Sequence, residues 1–184
     1  MENIFSKVVA VLIAIVLLFI YPLYQQSIKQ DNLSQLIVQG AVTELVDAVR
    51  TKGYISPSMY LEFNEKIGST GNQFDIQMEH LHKKYNPDYA DLANPNSFRN
   101  NFETYYDGHY TEEIMNVLFP NNLDPLNSER RLYKLTEGDF FKIKAVNTNR
   151  TMATVIGDIL TASNTGNNAK ILVPYGGMVL NEDY

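Results

Sequence analysis

A chain of 184 residues with 45% hydrophobic and 20% charged side chains has the composition of a folded protein with a real core, not of a disordered one. The formal net charge of −6 sets the overall field against nucleic acid, and the basic clusters, Lys83-Lys84 and Arg130-Arg131, are only pairs. The absence of cysteine excludes disulfides, thiolate metal sites and thiol catalysis together.

The first element is the apolar run Val8–Ile20, VVAVLIAIVLLFI. Extended through Ile4 and Phe5 on one side and Tyr21-Pro22-Leu23-Tyr24 on the other, it reaches the roughly 20 residues that cross a bilayer as a helix. The flanks, Glu2 with one Lys7 and the bulky YPLYQQ, lack the basic start and small-residue cleavage site of a secretory signal. An apolar surface on all sides argues against an interfacial helix. Residues 1–24 are therefore expected to form a single membrane anchor. The few residues before Lys7 are expected in the cytoplasm and the bulk of the chain, 25–184, outside as one domain.

The polar stretch Gln25–Asn32 contains no helix breaker. Beyond it Leu33, Ile37, Ala41, Leu45 and Val49 recur at intervals of four, flanked by Val38, Val42 and Val46. This predicts an amphipathic helix over 25–52 that ends at Gly53 and continues the anchor, with Pro22 as its built-in kink. Ser56-Pro57 opens a short helix to Gly68. Phe74, Ile76 and Met78 then alternate with polar residues, the period of a half-buried strand that runs to about Tyr85.

Residues 86–131 are rich in Asn, Asp, Tyr and Pro and read as an irregular surface excursion, with one short helix capped by Thr111. A second strand follows at Phe140–Val146, a helix at Met152–Leu160 and a third strand at Lys170–Val173, interrupted by Pro174-Tyr175-Gly176-Gly177. The expected fold is α+β: a long N-terminal helix, membrane-embedded in its first half, packed on a small, mainly antiparallel sheet with short extra helices.

Chemistry is sparse. His80 and His82 point to one side of a strand, and His109 is a third imidazole that would complete a zinc set; solvent-edge histidines are the alternative reading, and no metal or cofactor is expected. No Gly-x-Ser-x-Gly turn and no phosphate-binding loop occurs. Tyr89, Tyr105, Tyr106 and Tyr110, interleaved with Asn and Asp, suit a recognition surface for a sugar or a protein as well as they suit packing onto the sheet. Glu2, at the edge of a membrane helix, needs a partner if neighbouring subunits bury it.

An apolar N-terminal helix with Pro22 and Tyr24 near its end, continued against a small sheet, resembles the type IV pilin and pseudopilin group. The blocks Val46-Asp-Ala-Val-Arg-Thr-Lys-Gly-Tyr-Ile-Ser-Pro57, Gly68-Ser-Thr-Gly-Asn72 and Phe74-Asp-Ile-Gln-Met-Glu-His80 are similar to pilin-like proteins of tight-adherence-type secretion systems in Gram-positive bacteria. The resemblance implies a non-enzymatic subunit or accessory protein of a pilus or secretion apparatus. Its partners would be the membrane, other pilin-like or secretion-platform proteins and further copies of itself. Helix packing would then involve Glu2, Pro22, Leu33, Ile37, Ala41, Leu45 and Val49. No Gly precedes the apolar run and the early acid is Glu2, a departure from processed pilins that points to an uncleaved, membrane-resident component. The alternative expectation is a membrane-tethered binding or sensor domain that uses the excursion at 86–131.

Overall fold

The computed structural model describes residues 2–91, 93–164, 166 and 170–182, with only the backbone of Glu2, Asn3 and Leu17. Part of the polar turn expected at 163–168 lies outside these residues.

One helical rod opens the chain: α1 (Glu2–Ile15), a single widened turn (Val16–Ile20) and α2 (Tyr21–Lys52). In the widened turn the Tyr21 N–H reaches back five residues to the Val16 carbonyl. The cause stands next in sequence, because Pro22 has no N–H and its ring crowds the carbonyl four residues earlier. A turn with one extra residue lets the rod continue past the proline. At the far end Arg50 and Lys52 occupy the last turn and Gly53 takes the left-handed conformation (φ 69°), so the rod stops where its sequence says it should.

Only the second half of the rod enters the domain. Val38, Ala41, Val42, Leu45, Val46 and Val49 are buried. They pack against a four-stranded antiparallel sheet of order β3-β2-β5-β6, formed by β2 (Phe74–Tyr89), β3 (Phe98–Tyr110), β5 (Phe140–Asn147) and β6 (Leu172–Met178). From the sheet come Ile76, Met78, Phe141, Ile143, Ala145 and Val173. Two short helices close the core: α3 (Pro57–Gly68) contributes Phe63 and Ile67, and α4 (Thr111–Leu118) contributes Ile114 and Leu118. A two-residue ladder between β1 (Tyr54–Ile55) and β4 (Tyr133–Lys134) ties the exit of the rod to the segment before β5. The last helix, α5 (Met152–Thr161), lies along α2 on the stretch just before the core begins.

The α+β expectation holds, and so do α3 with Ser56 as its cap, its hydroxyl accepting from the Met59 N–H, and the strands beginning at Phe74 and Phe140. Four details differ. The 86–131 segment is not simply irregular, because it contains the thirteen-residue strand β3, paired to β2 from Glu79↔Tyr110 as far as Tyr89↔Phe98. β2 itself continues to Tyr89, and beyond Leu81 its partner is β3 alone, so the two strands leave the sheet as a hairpin arm. Most of β3 is exposed on both faces, which removes the apolar–polar alternation that betrays a strand. Pro87 is tolerated because the pairing slips there, between Pro87 and Tyr89.

The third strand is also not interrupted: β6 runs through Pro174-Tyr175-Gly176-Gly177 as an edge strand. The glycines make room, since a Cβ at Gly176 would stand 2.7 Å from the Lys142 Cβ and 2.8 Å from the Phe141 carbonyl oxygen. Thr111, the expected cap, is the first residue of α4, and its hydroxyl turns to the Met78 backbone instead, accepting its N–H at 2.7 Å. Finally, Leu33 and Ile37 do not join the core face of the rod. They are 60% and 46% exposed, with Leu36 at 64%.

Candidate functional site

Two features stand out: the uncovered length of the rod and a buried histidine–aspartate cluster at the opposite end of the domain.

From Ile4 to Leu33 no described residue of the rod is buried, although Ile4, Phe5, Val8, Val11, Leu12, Ile13, Leu18, Phe19 and Leu23 are large and apolar. At about 1.5 Å per residue, the apolar part from Ile4 to Tyr24 is roughly 30 Å long, the thickness of a bilayer's hydrocarbon. An exposed apolar surface of this extent needs a cover. Of the residues expected to pack helices, Ala41, Leu45 and Val49 are enclosed by the chain's own sheet, while Leu33 and Ile37 remain open beside Leu36. Pro22 sits at the exit of the widened turn. The side chain of Glu2 lies outside the described residues.

The expected recognition tyrosines do not share one surface. Tyr106 and Tyr110 lie on the same face of β3 as Phe102, whereas Tyr105 is on the opposite face and pairs across from Lys84. Tyr89 packs on Phe98, which in turn packs on Phe102, with ring centroids 5.6 and 5.3 Å apart.

The three histidines do come together. His80 and His109 are register partners on β2 and β3, their rings stacked at 5.5 Å, and His82 lies two residues along the same face of β2. Sequence reading missed the group at their centre, Asp139, which is 1% exposed. It follows a turn in which Gly138 takes a positive φ of 88°, and its carboxylate reaches the middle of β2 at His80–Lys83. Its Oδ1 accepts from His82 Nδ1 and the Lys83 N–H, both at 2.9 Å. Its Oδ2 accepts from His80 Nε2 at 2.9 Å, the Thr136 N–H at 2.8 Å and the Thr136 hydroxyl at 2.9 Å. The Thr136-Glu137-Gly138-Asp139 turn was the available signal, since a Thr three residues before an Asp is placed for such a local bond.

Electrostatics follow from these contacts. Burial alone would raise the Asp139 pKa, but the Thr136 and Lys83 N–H groups, with His80 and the Thr136 hydroxyl, outweigh it and hold the carboxyl at about 2. Burial pushes the His80 pKa below the ordinary histidine value despite the Asp139 charge. Tyr133, whose hydroxyl is 2.8 Å from His80 Nδ1, is pushed up to about 12 by burial and by the charges of Glu113 and Asp139. The consistent protonation is neutral His80 with its proton on Nε2, facing Asp139, and the Tyr133 O–H donating to Nδ1. His109 is engaged elsewhere, 2.6 Å from Glu113.

His80, His82 and Asp139 offer ligand atoms within 4.8 Å of one another, the separation of a metal set. His80 Nε2, His82 Nδ1 and both Asp139 oxygens already serve hydrogen bonds inside the protein, so a cation bound through them would have to displace the protons that hold the cluster. The arrangement as it stands is a lock that ties β2 to the turn before β5. No protein-family model matches the chain, and neither does any curated protein or solved structure.

Proposed function

We propose that the protein is a non-enzymatic, single-pass, pilin-like subunit or accessory protein of a bacterial pilus or secretion apparatus, which assembles through its N-terminal rod. One observation carries this reading: a continuous helix whose first half is bare and apolar and whose second half is built into an α+β domain. The residues Ile4–Tyr24 match a bilayer in length and composition. The N-terminus would then be cytoplasmic and the domain outside, in line with the short, once-basic leading segment.

A tether alone leaves something unexplained. Leu33 lies about 14 Å along the rod from Tyr24, past a headgroup layer only several Å deep. Lipid therefore does not reach Leu33, Leu36 and Ile37, and their cover has to be protein. Neighbouring rods of the same kind provide such a cover.

The second reading, a tethered binding module, is favoured by the hairpin arm, where Tyr85, Phe102 and Tyr106 stand exposed on one face. The cysteine-free chain separates the two by single-cysteine cross-linking of the full-length protein in membranes. Leu36→Cys is expected to capture another copy or another membrane protein, while Leu61→Cys on α3 captures none. If Leu36→Cys stays monomeric and Tyr106→Cys is captured, the tethered-module reading replaces the assembly reading.

A further inference from the structure

We infer that α5 is a second membrane contact: its C-terminal end rests at the boundary of headgroups and acyl chains beside the anchor, so that the domain sits on the lipid surface instead of swinging above it. This rests on the reading of Ile4–Tyr24 as a membrane span.

Two contacts fix where α5 stands along the rod. At its start the Thr151 hydroxyl donates to Asp31 at 2.7 Å. Further along, Gly157 lies against Tyr24, where even a Cβ would come within 3.3 Å of the ring. Going from Thr151 to Gly157 thus corresponds to going from Asp31 back to Tyr24, so α5 runs antiparallel to α2 and descends toward the apolar part of the rod. Three residues beyond Gly157, at Leu160, the descent reaches about the level of Tyr21, next to the last residue of the apolar run. With Ile4–Tyr24 as the span, this level is about 4–5 Å inside the edge of the hydrocarbon, at the boundary between headgroups and acyl chains.

The side chains at that end suit the place. Ile159 is 70% exposed and Leu160 38% exposed, so among the described residues Ile159 is largely uncovered and Leu160 partly so. The one charged residue of α5, Asp158, is turned inward and bonds to Arg150 and to the Ser163 hydroxyl. The outward surface of α5 therefore carries no charge that would resist the interface. An apolar helix end sinks several Å into the headgroup and acyl boundary without crossing it. Gly157 belongs to the same contact, because the missing side chain lets the helix backbone sit against the Tyr24 ring, where a Cβ would require the ring to give by a few tenths of an ångström.

The chain contains no tryptophan, so a single Trp reports its own depth. Full-length Ile159→Trp, and Leu160→Trp as a second position, would be placed in phosphatidylcholine nanodiscs brominated either near the headgroup or deep in the tails. Leu18→Trp marks the span and Leu61→Trp a site on α3 remote from the membrane. The expected result is loss of Ile159→Trp and Leu160→Trp emission with shallow bromine more than with deep bromine. Leu18→Trp should be quenched by deep bromine and Leu61→Trp by neither. Quenching of Leu18→Trp with none at 159 or 160 overturns the contact and leaves the span standing. Loss of quenching at all positions removes the span and the contact together. A blue-shifted but unquenched emission at 159 shows a protein cover and also overturns the proposal.

Discussion

Asp139→Asn is the most informative single change in the domain. The carboxylate takes two bonds on Oδ1 and three on Oδ2, one backbone N–H on each oxygen. Asparagine keeps one oxygen and replaces the other by an NH2 donor. His82, His80 and the Thr136 hydroxyl can turn or change tautomer to accept from it, but a backbone N–H cannot. Whichever way the amide is placed, the N–H of Lys83 or of Thr136 faces a donor in a buried position, at about 1–3 kcal/mol. Loss of charge on the bonds that remain adds to this, for a total of about 3 kcal/mol. For a chain of this length such a loss lowers Tm by about 6–12 °C.

The same residue shapes the acid limb of stability. The folded-state pKa of about 2 lies below the ordinary 3.8, so the carboxylate's stabilisation is complete above pH 4 and is lost as pH falls from about 4 to 2. Its size is on the order of 2 kcal/mol. His80 acts earlier and in the same direction: its folded pKa is lowered, so the unfolded chain takes up the proton first and stability begins to fall below about pH 6.5. Near-UV circular dichroism of detergent-solubilised full-length protein, followed through thermal unfolding at a series of pH values, reads both limbs. Asp139→Asn is expected to remove the lower one, and His80→Gln the upper. Wild-type Tm together with a wild-type acid limb in Asp139→Asn would refute the description of Asp139 as a buried anionic lock.

Three further changes test separate joints of the fold. Thr111→Val strands the Met78 N–H on the side of β2 where the pairing with β3 has ended at Tyr110, and should cost about 1–3 kcal/mol in chemical denaturation while leaving α4 helical. Gly176→Ala drives a methyl into Lys142 and the Phe141 carbonyl and should destabilise by about 1–3 kcal/mol, with hydrogen exchange rising first along β6. Because His80, His82 and Asp139 satisfy one another without a cation, a chelator should leave Tm unchanged; a drop on chelation, reversed by zinc, would show that a metal replaces their protons.

What the sequence made legible depended on whether an element has a buried side. The rod, α3, β5 and α5 each present an apolar face at one period, and each was readable with its boundaries within a few residues. β3 has almost no buried face and reads as irregular, for its reason to exist is a backbone ladder with β2, which leaves no mark on side-chain pattern. The histidine cluster was half visible. Two imidazoles on one strand face could be placed from spacing, but His109 joins them only through the β2–β3 register, and Asp139 reaches them through a turn 56 residues downstream of Lys83. The apolar half of the rod is readable because its composition alone marks it, and among the described residues none of it is buried by the domain.

The division of the rod into two faces explains why Leu33 and Ile37 misled. Residues four apart advance about 400° around a helix, a drift of about 40° per step. The series Leu33, Ile37, Ala41, Leu45, Val49 therefore winds through about 160° over its length. It begins on the open side and ends in the core, and what looks like one stripe belongs to two surfaces. The core face is centred on Val38, Val42, Val46 and Val49, while Leu33, Leu36 and Ile37 lie nearly opposite. Tyr24 and Asp31, the residues that hold α5, fall on the core side by the same geometry. Domain and α5 thus hang from one side of the rod, and the other side is clear from the membrane up to Ile37. A neighbouring rod can approach along that side without displacing anything the domain has built, which is why a charge introduced there, as in Ile37→Glu, should abolish capture by Leu36→Cys yet leave the thermal unfolding of the domain where it was.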